Sequence, residues 1–178
     1  KLNIFGINSP AEPERFDNAG GYDEYRWGED KISPSDIEEN APSWNSSFPV
    51  SYYSNFDSWA DVREWAESLF ISHEEPDPEV VSLARKLTEG LVTETEKLRA
   101  VLTFMQREVR YVGMELGRNG FRPFQAAVVL ERRFGDCKDK TNLLLEMLES
   151  LRIKAVPVLT DSMVRRWMLT DFPTPASF

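Results

Sequence analysis

The feature that most constrains this chain is its one cysteine, Cys137, which lies in the segment RFGDCKDKT at residues 133–141. Asp136 predicts a helix N-cap, because its carboxylate can accept hydrogen bonds from the open backbone N–H groups of a first turn. Asp139 is the acidic partner of a capping-box-like pattern, and Gly135 offers an uncrowded entry. Apolar residues then recur at helical spacing: Leu143, Leu144, Met147, Leu148 and Leu151. The segment therefore predicts a helix whose first turn carries the thiol.

The position of Cys137 favours chemistry at its sulfur. The positive end of a helix and the neighbouring Lys138 favour the thiolate, although Asp136 opposes it. Free backbone N–H groups at a helix start can also stabilise an oxyanion that forms beside the sulfur. The alternative is a small buried cysteine, which is the commoner fate of a lone free thiol. The charged neighbours argue against burial, so Cys137 is the candidate nucleophile.

The composition excludes several classes of function. The chain has 178 residues, of which 41% are hydrophobic, and a net charge of −9. An acidic chain disfavours nucleic-acid partners, and no apolar run approaches the roughly 20 residues of a membrane span. One cysteine allows neither an internal disulfide nor a multi-cysteine zinc site. Acids such as Asp17, Asp23 and Glu38 lack the spacing of a calcium loop, so we predict no metal and no other cofactor.

The predicted elements are strands first and helices later. Strands are predicted at residues 2–7, 22–27 and 50–54, with a loop rich in proline and glycine at 8–21. Ser58, Pro78 and Thr93 then mark the starts of three helices, the last of them in a capping box with Glu96.

The elements that surround the cysteine are shorter. An extended segment is predicted at residues 110–116, a loop at 117–123 and a short helix at 123–133. After the cysteine helix, residues 153–159 predict a strand, which Pro157 places at a sheet edge or a bulge.

Four motifs make the chain resemble a known family. They are RYVGMELG at residues 110–117, GFRP at 120–123, AAVVL at 126–130 and RFGDCKDK at 133–140. Together they are similar to the bacterial transglutaminase-like superfamily, and more narrowly to the branch in which a transglutaminase core follows an uncharacterised β-rich domain. The resemblance implies that residues 1–55 are the end of the β-rich domain or an extended segment. Residues 56–178 would be the N-terminal part of a transglutaminase-like domain.

The resemblance implies an α+β fold with a papain-like, transglutaminase-like core, in which a helical half precedes the cysteine helix and the start of a sheet. Cys137 would attack a carboxamide or peptide carbonyl and form a thioester, which water or an amine resolves. Gly135, Asp136, Lys138 and Asp139 form the supporting motif. We favour cap roles for the two acids, whereas Lys138 is either a supporting charge beside the thiol or a surface charge of the helix.

The resemblance also concerns the catalytic base and Tyr111. Related enzymes place a histidine and then an aspartate after the cysteine, whereas the single histidine here, His73, precedes it in an acidic turn. Residues 172–178 are similar to the segment that leads into that histidine. We therefore expect both partners beyond Phe178, and this chain alone to be inactive. Tyr111 is a candidate for the lining of the substrate pocket; the alternative, which base rates favour, is a strand aromatic that faces the core.

Several functions stay open at this point. Amide or peptide hydrolysis and crosslinking both fit a cysteine acyl-transfer enzyme. A non-catalytic transglutaminase-like module that binds peptides or acts as a scaffold is the first alternative, and a redox-sensing thiol is the second. The expected partner is a peptide or protein amide, with no nucleic acid and an open oligomeric state. The resemblance implies a periplasmic or other extracytoplasmic location in a Gram-negative bacterium.

Overall fold

The computed structural model describes residues 2–8, 12–17, 20–28, 49–70, 75–113, 117–160 and 171–175. The strands are β1 Asn3–Ile7, β2 Glu14–Asp17, β3 Asp23–Arg26, β4 Val50–Ser54, β5 Arg110–Tyr111 and β6 Phe134–Gly135. The α-helices are α1 Trp59–Phe70, α2 Pro78–Leu87, α3 Glu94–Glu108, α4 Ala126–Arg132 and α5 Cys137–Ser150. This mixture is the α+β class that the sequence predicts. Within the described ranges, no helix has both the length and the apolar character that crossing a membrane requires.

The first of two compact units comprises Lys1–Val62 together with Thr160–Phe178. In it β1 pairs with β4 and β2 pairs with β3, both in antiparallel ladders. The rings of Phe5, Tyr52 and Phe172 meet with centroids 5.9 to 6.4 Å apart, which gives the β1–β4 pair an aromatic cluster. The strands predicted at residues 2–7, 22–27 and 50–54 are therefore confirmed.

The predicted loop at residues 8–21 is wrong in part, because β2 lies within it. All four side chains of β2 are exposed, so its sequence lacks the alternation of apolar and polar residues that indicates a strand. Contacts across the hairpin accompany its ladder instead. Arg15 lies 3.0 Å from the carboxylate of Asp23, and the guanidinium of Arg26 lies 4.7 Å from the ring centre of Phe16.

The second unit, Arg63–Leu159, is a helical core in which α2, α3 and α4 all contact α5. Leu143 and Met147 lie one turn apart on α5, and both are fully buried. Val80, Val101 and Val129 come from the other three helices and are fully buried as well. The buried face that the apolar spacing predicted on the cysteine helix is therefore confirmed, and it lies in the core of this unit.

Local signals set the helix starts. Ser58 precedes α1, and its hydroxyl accepts a hydrogen bond from the first turn. Pro78 opens α2, and Thr93 caps α3 in a capping box with Glu96, as the sequence predicts. Each start satisfies backbone N–H groups that would otherwise lack an acceptor.

Predicted segments near the cysteine helix also differ from the structure. The helix predicted at residues 123–133 is the shorter α4, and of the extended segment at 110–116 only β5 forms a strand among its described residues. The strand predicted at 153–159 is wrong, because this segment forms no ladder with any described residue. Val156 and Val158 are accordingly 79% and 77% exposed. The predicted domain division between residues 55 and 56 stays a prediction.

Candidate active site at the start of α5

Cys137 is the first residue of α5, and its side chain is exposed. Asp136 is the N-cap: its Oδ1 accepts a hydrogen bond from the N–H of Asp139 at 3.2 Å. The Asp139 carboxylate accepts from the N–H of Asp136 at 3.3 Å, which completes the predicted capping box. The Thr141 hydroxyl also donates to the Cys137 carbonyl at 2.7 Å. The thiol is therefore exposed at a helix start, and hydrogen bonds hold the backbone before and after it.

A short parallel ladder delivers the chain to this helix. The N–H of Arg110 donates to the carbonyl of Arg133 at 2.8 Å, and the N–H of Val112 donates to the carbonyl of Gly135 at 3.0 Å. A Cβ atom at Gly135 would lie 2.6 Å from the Cβ of Asp139. Gly135 is required because the strand and the helical turn approach closely. The entry is thus crowded, and the sequence-based expectation of an uncrowded one is wrong.

The Asp139 carboxylate is fully buried and holds three elements together. Its Oδ1 accepts from the N–H of Phe124 at 2.9 Å, and its Oδ2 pairs with Nη2 of Arg132 at 2.6 Å. Sequence reasoning identified Asp139 only as a cap and missed Arg132. Asp139 directly precedes the apolar face of the predicted helix, and a carboxylate buried there needs a counter-charge; that need is the signal that could have indicated an arginine nearby.

A second buried ion pair joins the two residues that flank Cys137 in the chain. Lys138 Nζ binds the carboxylate of Asp136, whose side chain is fully buried, and Lys138 itself is buried as well. Lys138 is therefore not a surface charge of the helix. The ammonium of Lys140 donates to the carbonyl of Val109 at 2.7 Å, which ties the helix to the end of α3. The charges beside Cys137 are thus paired inside the protein, while the sulfur faces outward.

The backbone N–H groups in the first turn of α5 fall into two pairs. The N–H of Asp139 is bound by the Asp136 side chain, and the N–H of Lys140 by the Asp136 carbonyl. The N–H groups of Cys137 and Lys138 have no acceptor among the described residues. They lie beside the thiol at the positive end of α5, which is the arrangement that an oxyanion requires.

Of the two other candidates from the sequence, Tyr111 is described by the structure and His73 is not. Tyr111 stands opposite Gly135 in the β5–β6 ladder, and its side chain is 58% exposed, so it does not face the core. His73 lies outside the described residues. In the part of the chain that the structure describes, no group of three or more histidine, cysteine or acidic side chains is arranged to hold a metal ion.

The mixture of helices and strands defines an α+β fold. Its candidate site is an exposed cysteine with buried charges beside it. The profile of the transglutaminase-like superfamily matches residues 81–169, which is half of the 178 residues and includes Cys137. The chain belongs to that superfamily, as the sequence motifs predict.

A solved structure with a similar fold supports this placement. A putative protease from Parabacteroides distasonis, with a crystal structure at 2.00 Å, matches 84% of this chain with a TM-score of 0.65 and 19% identity. At this identity the likeness shows the fold alone. The chain spans 29% of the length of that protein. No curated protein matches the sequence.

Proposed function

We propose that Cys137 is the nucleophile of a cysteine-dependent acyl-transfer enzyme that acts on peptide or protein amides. The observation that carries this proposal is the exposed thiol at the capped start of α5, next to two backbone N–H groups without an acceptor among the described residues. Membership of the transglutaminase-like superfamily supports it, because the matched region includes this cysteine.

The reaction follows from the elements of the site. The Cys137 thiolate attacks the carbonyl carbon, and the N–H groups of Cys137 and Lys138 donate to the oxyanion of the tetrahedral intermediate. The C–N bond then breaks, and the amine leaves with a proton. The resulting thioester is resolved by water, which gives a carboxylic acid, or by a second amine, which gives a new amide.

The base that takes the thiol proton is not among the groups placed around Cys137. We propose that it is a histidine, oriented by an aspartate, from outside the described residues. Loss of that histidine would remove several orders of magnitude in rate, because the thiol would then lack its proton acceptor.

Hydrolysis is the favoured outcome of the thioester. The fold neighbour from Parabacteroides distasonis carries the description of a putative protease, which supports water as the acceptor. Exposed Tyr111, in register with Gly135, is proposed to form one wall of the substrate site. The extracytoplasmic location stays a prediction from the resemblance.

The test uses the complete gene product and a library of fluorescent peptides with internal amide bonds. We expect cleavage that Cys137→Ala abolishes and that iodoacetamide prevents, with the acyl group trapped on Cys137 in a rapidly quenched digest. Ser150→Ala is a matched control at the far end of α5, where the hydroxyl donates only to the Met147 carbonyl within the described residues.

Two results would contradict the proposal. Turnover that survives Cys137→Ala would place the nucleophile elsewhere. Peptide binding without any covalent adduct or cleavage would instead favour the non-catalytic module.

A further inference from the structure

Arg132 reaches the chain on both sides of the thiol. Its Nε donates to the Phe134 carbonyl at 2.7 Å, and its Nη2 pairs with Asp139 Oδ2 at 2.6 Å. Phe134 belongs to the strand that leads to Cys137, and Asp139 belongs to the helical turn that follows it. A guanidinium is a planar fork that fixes two such directions at once, which an ammonium cannot do. One side chain therefore sets the spacing between the two segments that carry the cysteine.

The surroundings of Arg132 make this spacing rigid. Its side chain is only 16% exposed, and its guanidinium carbon lies 4.2 Å from the ring centre of Phe124 and 4.9 Å from that of Phe134. Asp139 is fully buried and also accepts the N–H of Phe124. In such a water-poor place a charged hydrogen bond is strong, and the loss of either partner leaves a buried charge unpaired.

We propose that Arg132 is a positioning residue for Cys137, an inference that rests on the acyl-transfer function proposed above. Arg132 acts through Phe134 and Asp139. It keeps the sulfur and the N–H groups of Cys137 and Lys138 in the relative positions that attack and oxyanion binding require. Displacing a reacting group by about 1 Å can cost about 100-fold in rate, so the geometry of this turn affects kcat directly.

The variant that tests the inference is Arg132→Lys in the complete gene product. Lysine keeps the positive charge for Asp139 but cannot also hold the Phe134 carbonyl in a fixed fork. We expect kcat to fall by about 10- to 100-fold while KM changes less than about twofold, because the nucleophile is displaced and the substrate surface is not.

The matched control is Arg133→Lys. The neighbouring Arg133 has its guanidinium 5.1 Å from the ring centre of Phe104, whereas the ion pair of Asp139 is made by Arg132. Its backbone is left-handed, with φ of 58°, and arginine and lysine adopt this conformation at a similar cost. This control should keep the kcat of the wild type. A thermal melt of each variant shows that it is folded before the rates are compared.

A second measurement does not depend on activity. Hydrogen–deuterium exchange of the backbone amides at residues 134–139 should be about tenfold faster in Arg132→Lys than in the wild type, and unchanged in Arg133→Lys. If Arg132→Lys does not fold, Arg132→Gln with Asp139→Asn removes both charges together and avoids an unpaired buried one.

The outcomes separate the two proposals. Wild-type kcat in a folded Arg132→Lys, with Cys137-dependent turnover intact, overturns the positioning role. If the wild type shows no Cys137-dependent turnover, the proposed function fails, and exchange decides whether Arg132 fixes this turn. Faster exchange confined to residues 134–139 supports that, whereas exchange equal to the wild type overturns it.

Discussion

Glu146 joins α5 to the start of α2: its carboxylate accepts a hydrogen bond from the backbone N–H of Asp77 at 2.6 Å. Asp77 is the N-cap of α2, so one bond links the middle of one helix to the first turn of another. Burial raises the pKa of Glu146, and the charges of Asp77 and Glu149 raise it further, whereas the hydrogen bond from Asp77 opposes the change. The net direction is upward, so folding favours the protonated form.

The first prediction is that Glu146→Gln gains stability relative to the wild type as the pH rises. The folded pKa of Glu146 lies above its unfolded value of about 4.3, so the folded wild type binds this proton more tightly. The stabilising effect of the proton is fully present below the unfolded pKa and is lost as the pH rises through the folded pKa. Glutamine keeps an oxygen for the N–H of Asp77 and does not titrate.

Urea unfolding of both proteins between about pH 4 and about pH 7 measures the difference. Glu146 is half-buried and partly screened by water, so we expect a change below about 1 kcal/mol across this range. Glu131→Gln removes an exposed carboxylate of α4 and should not reproduce the trend. Parallel curves for Glu146→Gln and the wild type would show that Glu146 titrates alike in the folded and unfolded chains.

The second prediction concerns the close approach at Gly135. Gly135→Ala places a methyl group 2.6 Å from the Cβ of Asp139, a residue that the capping box holds in place. We expect a loss of about 1 to 3 kcal/mol in urea unfolding, as for overpacked cores. Gly113→Ala is the control, because no described atom lies within 4 Å of its added carbon. It should be neutral or stabilising by up to about 1 kcal/mol. Equal effects of the two substitutions would mean that the turn relaxes freely.

Local signals explain which parts of the fold the sequence predicts. Asp136 and Asp139 are three residues apart, and a capping box requires only that spacing and a helical pattern after it. The same holds for Thr93 and Glu96 at the start of α3. The position of Cys137 at a helix start, from which the candidate site was inferred, is therefore readable from a few consecutive residues.

Contacts between distant segments explain what the sequence does not predict. β2 is a strand because Arg15 and its neighbours meet β3, and its exposed side chains leave no apolar pattern. Val156 and Val158 have strand-like character, but a strand also needs a partner, which their own sequence cannot supply. Arg132 pairs with Asp139 because α4 and α5 pack together, so the identity of the arginine that meets Asp139 becomes visible only in three dimensions.

The third prediction is that Lys138→Met destabilises the protein more than the double variant Lys138→Met with Asp136→Asn. Lys138 and Asp136 form an ion pair whose side chains are 9% and 1% exposed. Removing the ammonium alone leaves a buried carboxylate without a counter-charge, which costs about 3 to 5 kcal/mol. Asparagine carries no charge and still offers an oxygen to the N–H of Asp139, so the helix cap survives in the double variant.

A double-mutant cycle of urea unfolding measures the coupling, which we expect to be about 1 to 3 kcal/mol. Lys154→Met is the control for loss of a lysine at an exposed position of the same unit, and it should change stability by less than about 0.5 kcal/mol. Additive effects in the cycle would mean that water reaches the carboxylate once the ammonium is gone. In that case the first turn of α5 opens easily, and a rigid setting for Cys137 could not be maintained by these buried charges.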